Sequence, residues 1–213
     1  MREPWSRGYV KICGVTTVEN AREVADCGVD AIGVNLAHSV RRVTRERAQD
    51  ILDSLQGSIL RTLVFAENSD EEILDCVREL EPDVVQLHGP LSDRLGRELR
   101  KRPVRVVKAL NIEGGEFDSF VDASVDAVLL DGPRSGSGLA HSWDRLASRS
   151  FVVPVIAAGG LRAHNVAEVI VATNAWGVDC ASGVEADAGV KSPAAVRDFV
   201  ARARHAWGAE EGA

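Results

Sequence analysis

Eight times along the chain a short β-branched run is followed by an amphipathic or polar-flanked stretch, and few architectures satisfy that repeat. The runs are Val10–Cys13, Ala31–Asn35, Ile59–Phe65, Val84–Leu87, Val104–Ala109, Val125–Leu130, Val152–Ala157 and Trp176–Cys180. Each is nearly continuous in apolar character, as parallel strands covered on both faces require. Helices are predicted over about 17–27, 44–55, 70–80, 91–101, 115–121, 143–148, 163–172 and 193–206. The first gathers Val18, Ala21, Val24 and Ala25 on one face, and the third gathers Ile73, Leu74, Val77 and Leu80. Thr16 or Thr17, Thr44, Ser69, and Ser192 before Pro193 suit helix N-caps, while Gly28 suits a helix stop. Eight such units in 213 residues predict an α/β fold, a single (β/α)8 TIM barrel with a closed parallel sheet. One domain is expected over 1–213, with its core at about 9–206 and a frayed tail at 208–213. An open doubly wound sheet is the structural rival.

Charge and cysteine usage narrow the partners. The net charge is −7 and no long Lys/Arg run occurs, which disfavours a nucleic-acid or anionic-membrane surface. Cys13, Cys27, Cys76 and Cys180 are far apart and form no CxxC pair, so neither a metal site nor a disulfide framework is expected. The first residues lack an apolar secretory stretch, and no run approaches the length of a membrane helix. A cytoplasmic protein is expected, monomer or homodimer, with a small molecule as partner.

In a barrel of this kind the chemistry collects where strands end and βα-loops begin. Lys11 and Cys13 share one side of the first strand, facing the interior, with Cys13 nearest the mouth. A thiol there works as a base or nucleophile only if positive charge lowers its pKa, and Lys11 is a source of that charge. Equally, a buried cysteine is often just a small packed side chain. Asp131 ends the sixth run, either as a proton-transfer group or as a loop cap. Gly159 and Gly160 follow the seventh; Asp179 lies near the end of the eighth, with Ser182 and Gly183 just after it. Two small-residue loops at these places suit a phosphate, although a tight turn alone also explains a glycine pair. Arg41 and Arg42 suit bidentate pairing with a ligand carboxylate or a solvated surface. Gln86 and His88 close the fourth run on the side opposite Leu87. The polar loop after Asp131, with Arg134 and Ser137, reads as a mobile lid or an ordinary connector.

From about Val10 to Arg204 the chain resembles the phosphoribosylanthranilate isomerase family. The resemblance rests on KICG (11–14), GVDAIG (28–33), SVRRV (39–43), VVQLHG (84–89), VVKAL (106–110), LLD (129–131), GSG (136–138), AGGL (158–161), NV (165–166), SGVE (182–185) and GVK (189–191), in the family's order. It implies an Amadori rearrangement of N-(5-phosphoribosyl)anthranilate in tryptophan biosynthesis, without metal or organic cofactor. It further implies Cys13 as general base and Asp131 as general acid, with Arg41 on the anthranilate carboxylate. Gly159, Gly160, Ser182 and Gly183 would hold the phosphate. Beside these, Lys11, Gln86, His88 and Asp179 are expected to line the substrate from their places in the barrel. The chain departs from the family where the aromatic end binds. GVNLAHSVRRV lacks the usual aromatics, Val40 replaces a proline, His141 and Ser142 precede Trp143, Pro90 follows QLHG, and Ala181 replaces a serine. Two other readings are an Amadori isomerase for a different phosphoribosylamine and a non-catalytic phosphosugar-binding barrel.

Overall fold

A computed structural model describes residues 3–55, 57, 59–114, 117, 120, 125–131 and 151–210. Its parallel strands are β1 (Tyr9–Cys13), β2 (Ala31–Asn35), β3 (Leu60–Phe65), β4 (Val84–Leu87), β5 (Arg105–Asn111), β6 (Ala127–Asp131), β7 (Val155–Ala158) and β8 (Gly177–Cys180). They pair in chain order, and β8 returns to β1, so the sheet closes. This is the predicted barrel rather than the open sheet. The described helices are α1 (Val18–Ala25), α2 (Arg45–Ser54), α3 (Asp70–Leu80), α4 (Asp93–Leu99), α5 (Val166–Thr173) and α6 (Pro193–Glu210).

Strand alternation divides the apolar residues into two cores. Ile12, Ile32, Leu63, Phe65 and Val85 face outward and pack on the helices with Ile51, Leu52 and Phe199. Such fully buried side chains stabilise the fold by about 1.5–3 kcal/mol each. Ala31, Val84, Val107, Leu129 and Ile156 face inward around the axis. At the strands' N-terminal end Tyr9 stacks on Trp176 at 5.5 Å and meets Trp5 edge-on at 5.3 Å, while Arg105 covers Trp5. This aromatic plug closes the bottom. Towards the other end the inward positions turn polar, with Lys11, Gln86 and Asp179 buried there.

The helix starts have local causes. Thr17, Thr44 and Ser69 accept from the backbone N–H three residues on, and Ser69 with Glu72 makes a capping box. Ser92 caps α4 in the same way, so that helix starts later than predicted. The seventh strand begins at Val155 and not Val152, because Pro154 has no N–H for a ladder and Val152 stands 86% exposed. The last helix runs on to Glu210, beyond the predicted end at 206. A 3-10 turn (Ser182–Val184) and a small hairpin, β9 (Glu185–Asp187) with β10 (Val190–Lys191), lie between β8 and α6 and were not predicted. The predicted helix at 143–148, most of that at 115–121, and Arg134, Ser137, His141 and Ser142 lie outside the described residues.

Candidate active site

Cys13 is the last residue of β1 and is buried at 7% exposure. Two residues back, Lys11 forms an ion pair with Asp179 of β8 (Nζ to Oδ2, 2.8 Å), which the β1–β8 register sets side by side. The pair lies inside the barrel, where removing one partner would strand the other's charge. The second oxygen of Asp179, Oδ1, is buried without a hydrogen-bond partner among the described residues. Burial pushes the Cys13 thiol up; Lys11 pulls it down, and Asp179 pushes it up again. The expected activation by Lys11 is therefore present but outweighed, chiefly by burial and further by the Asp179 charge. Lys11 itself stays charged, since Asp179 and Cys13 overcome the loss of hydration that burial imposes.

A second ionic group stands beside the first. Arg41, in the loop after β2, donates through Nε and Nη2 to both oxygens of Glu185, at 2.6 and 2.8 Å. Glu185 also accepts from Lys191 Nζ at 2.8 Å and from the Gly189 N–H at 3.1 Å. Burial alone would raise the Glu185 carboxyl, but Arg41, Lys191 and the Gly189 N–H together hold it at about 2. Lys191 is buried, donates also to the Ala181 carbonyl, and has its backbone clamped by both amide atoms of Asn20 on α1. The bidentate partner expected for Arg41 was a ligand carboxylate; its side-on edge is taken by the protein's own Glu185. Glu185, Lys191 and Asn20 were not singled out from sequence. The signal was available, since an acid and a lysine flank the apolar Val184 and Val190 just after a phosphate-type loop.

The loops after β7 and β8 lean on each other. Gly159 and Gly160 both adopt positive φ, 87° and 61°, which side chains resist. Asn165 braces this turn by accepting from the Arg162 N–H at 2.7 Å and donating to the Gly160 carbonyl at 3.2 Å. A Cβ on Gly183 would overlap the Leu161 carbonyl oxygen, so the two loops touch only because residue 183 is glycine. Ser182, next to it, is exposed. Cys180 beneath donates to the Leu161 carbonyl, and burial with nearby Asp179 pushes its thiol up to about 12, which makes it a packing residue.

Across the mouth, Asp131 ends β6, following the inward-facing Ala127 and Leu129 at the same alternation and opposite Ala158 in the register. Counted through β8 and β7, it stands three strands from Cys13. Gln86 is buried inside β4, and its amide nitrogen lies 2.9 Å from His88 Nε2. His88 is open to solvent yet ringed by protein. Partial loss of hydration and the Lys11 charge lower its pKa, so the ring is neutral near pH 7. A surface depression of about 440 Å³ at Arg42–Glu46 lies at the start of α2, and of the predicted candidates only Arg42 lines it. Among the described residues no His/Cys/Asp/Glu cluster suits a metal, and no helix is long and apolar enough to cross a membrane.

With this geometry in place, comparison with known proteins is specific. The sequence profile of the family described as N-(5'phosphoribosyl)anthranilate (PRA) isomerase matches residues 10–202. An N-(5'-phosphoribosyl)anthranilate isomerase of Haloferax volcanii is 39% identical over 211 residues, covering 94% of this chain and 95% of that protein. The crystal structure of TrpF from Jonesia denitrificans superposes with a TM-score of 0.82 at 34% identity, covering 93% and 98% of the two chains. A phosphoribosyl anthranilate isomerase crystallised with reduced 1-(o-carboxyphenylamino)-1-deoxyribulose 5-phosphate superposes with a TM-score of 0.74 at 29% identity, covering 92% and 98%.

Proposed function

The chain belongs to the N-(5'-phosphoribosyl)anthranilate isomerase family and catalyses that family's Amadori rearrangement, and we propose that Cys13 and Asp131 carry its two proton transfers. Asp131 protonates the ribose ring oxygen as the C1′–O bond breaks, leaving a Schiff base whose positive nitrogen is an electron sink. The Cys13 thiolate then takes the proton from C2′; that bonding pair forms the C1′=C2′ double bond while the C=N π pair moves onto nitrogen, giving a neutral enolamine. Protonation at C1′, with loss of the proton from the C2′ hydroxyl, yields the 1-deoxyribulose ketone. Each proton transfer contributes about 10²–10⁴ in rate. The ligand's phosphate rests on Gly159, Gly160, Ser182 and Gly183, whose backbone leaves room for an anion. Asp179 accepts a substrate hydroxyl at its orphaned Oδ1, Gln86 and the neutral His88 line the ribose, and Lys11 keeps Asp179 in place. Arg41 meets the anthranilate carboxylate, and the reaction runs in the cytoplasm on this small phosphorylated partner.

The observation that supports this reading most is the inward placement of a thiol on β1 and a carboxyl on β6, at the same end of the barrel as two glycine loops. The test is direct. Cys13→Ala and Asp131→Asn should each abolish turnover of N-(5-phosphoribosyl)anthranilate while affinity for the reduced product analogue stays within about tenfold, roughly 1.4 kcal/mol. Normal turnover in either variant would remove that residue from its role.

A further inference from the structure

Arg41 has two edges that can each grip a carboxylate, Nε with Nη2 and Nη1 with Nη2. The first is fully engaged by Glu185. Among the described residues no protein group takes the second. The arginine stem passes close over Gly14, directly after Cys13, its Cδ lying where a side chain on that glycine would be. Glu185 in turn is held from two further sides by Lys191 and Gly189, and Lys191 by Ala181 and Asn20. Two cations against one carboxylate leave the cluster with a net positive charge, suited to an anionic ligand.

We propose that Glu185 is a positioning residue for carboxylate recognition: by occupying the side-on edge of Arg41 it turns the Nη1/Nη2 edge to the carboxylate of the substrate's aromatic ring. This rests on the reading of Arg41 as the carboxylate contact. The same segment of chain, from Ser182 to Lys191, then carries both the phosphate loop and the brace for Arg41. The two charged ends of the substrate are registered by one piece of backbone, which fixes the distance between them. A guanidinium without its brace would rotate about its flexible stem and meet the ligand in many orientations.

The experiment compares two probes by calorimetry: the reduced carboxyphenylamino-deoxyribulose phosphate and its phenylamino counterpart without the carboxyl group. The unaltered chain should prefer the first, and Arg41→Ala should abolish that preference. Glu185→Gln should cut the preference about tenfold or more, with affinity for the carboxyl-free probe unchanged within about twofold. In the Arg41→Ala background Glu185→Gln should change nothing further, because it acts through Arg41. If Arg41→Ala keeps the preference, the carboxylate role of Arg41 is wrong. If Arg41→Ala loses it while Glu185→Gln keeps it, only the positioning role of Glu185 is wrong. Should Glu185→Gln fail to fold, Glu185→Asp decides: it keeps the counter-charge for Lys191, but its shorter stem draws the carboxylate back from the Nε/Nη2 edge of Arg41. Full preference in that variant overturns the proposal, and loss of it supports the proposal.

Discussion

Three cations stand within electrostatic reach of Cys13, namely Lys11, Lys191 and Arg41, and still burial raises its thiol. Burial is the largest cause, and the acids limit what the cations offset: Asp179, which itself raises the thiol, pairs with Lys11, and Glu185 pairs with both Arg41 and Lys191. A base with a raised pKa is mostly protonated at neutral pH, but its thiolate is a stronger proton acceptor. The free protein's kcat/KM should therefore climb with pH through and beyond the ordinary thiol range of about 8.5. Asp179→Asn removes a charge that opposes ionisation and leaves Lys11 uncompensated, so the limb should move to lower pH. A pH series of kcat/KM checks both, and a limb already flat below the ordinary thiol range, or one unmoved in Asp179→Asn, contradicts the assignment. Legibility from sequence followed distance along the chain. Lys11 and Cys13 were readable because two-residue alternation is local. The grip of Glu185 on Arg41 spans a separation of 144 residues, and no short-range pattern encodes it.

At the scale of elements, most strands were legible because an apolar run buried on both faces leaves an unbroken signature. The late start of β7 was missed because Val152 and Val153 look like strand, although Pro154 keeps the ladder from reaching them. The hairpin β9–β10 was missed for another reason: its strands are three and two residues long, below the length at which alternation can be seen. The contact between the loops after β7 and β8 belongs to this scale as well. Gly183→Ala would press a methyl group into the Leu161 carbonyl, and the 3-10 turn has to move away from the Gly159–Gly160 turn. If both loops hold the phosphate as proposed, phosphate affinity should fall by about tenfold or more, while the far side of the barrel is untouched. Titration with inorganic phosphate measures this; affinity equal to that of the unaltered chain would separate Gly183 from the anion site.

For the whole molecule, Glu185 ties together elements that are remote in the chain. Through Arg41 it reaches the loop between β2 and α2, through Lys191 the entry to α6, and through Lys191 and Asn20 it reaches α1. These contacts close the ring of βα units where its last unit meets its first. The carboxyl is held at about 2 in the folded state, well below its ordinary value, so it binds a proton more readily when the chain is unfolded. Folding stability from this group is then fully present above the ordinary carboxylate range, about 4.3, and is lost as pH falls towards about 2. Glu185→Gln cannot lose what it lacks. Near pH 7 the variant should melt lower than the unaltered chain, because Lys191 is left buried without its counter-charge. As pH is lowered from about 5 to about 2 the two melting temperatures should converge, since the protonated glutamate approaches the amide in charge. A gap that stays constant across that range would mean that the ionised form of Glu185 does not hold the first and last units together.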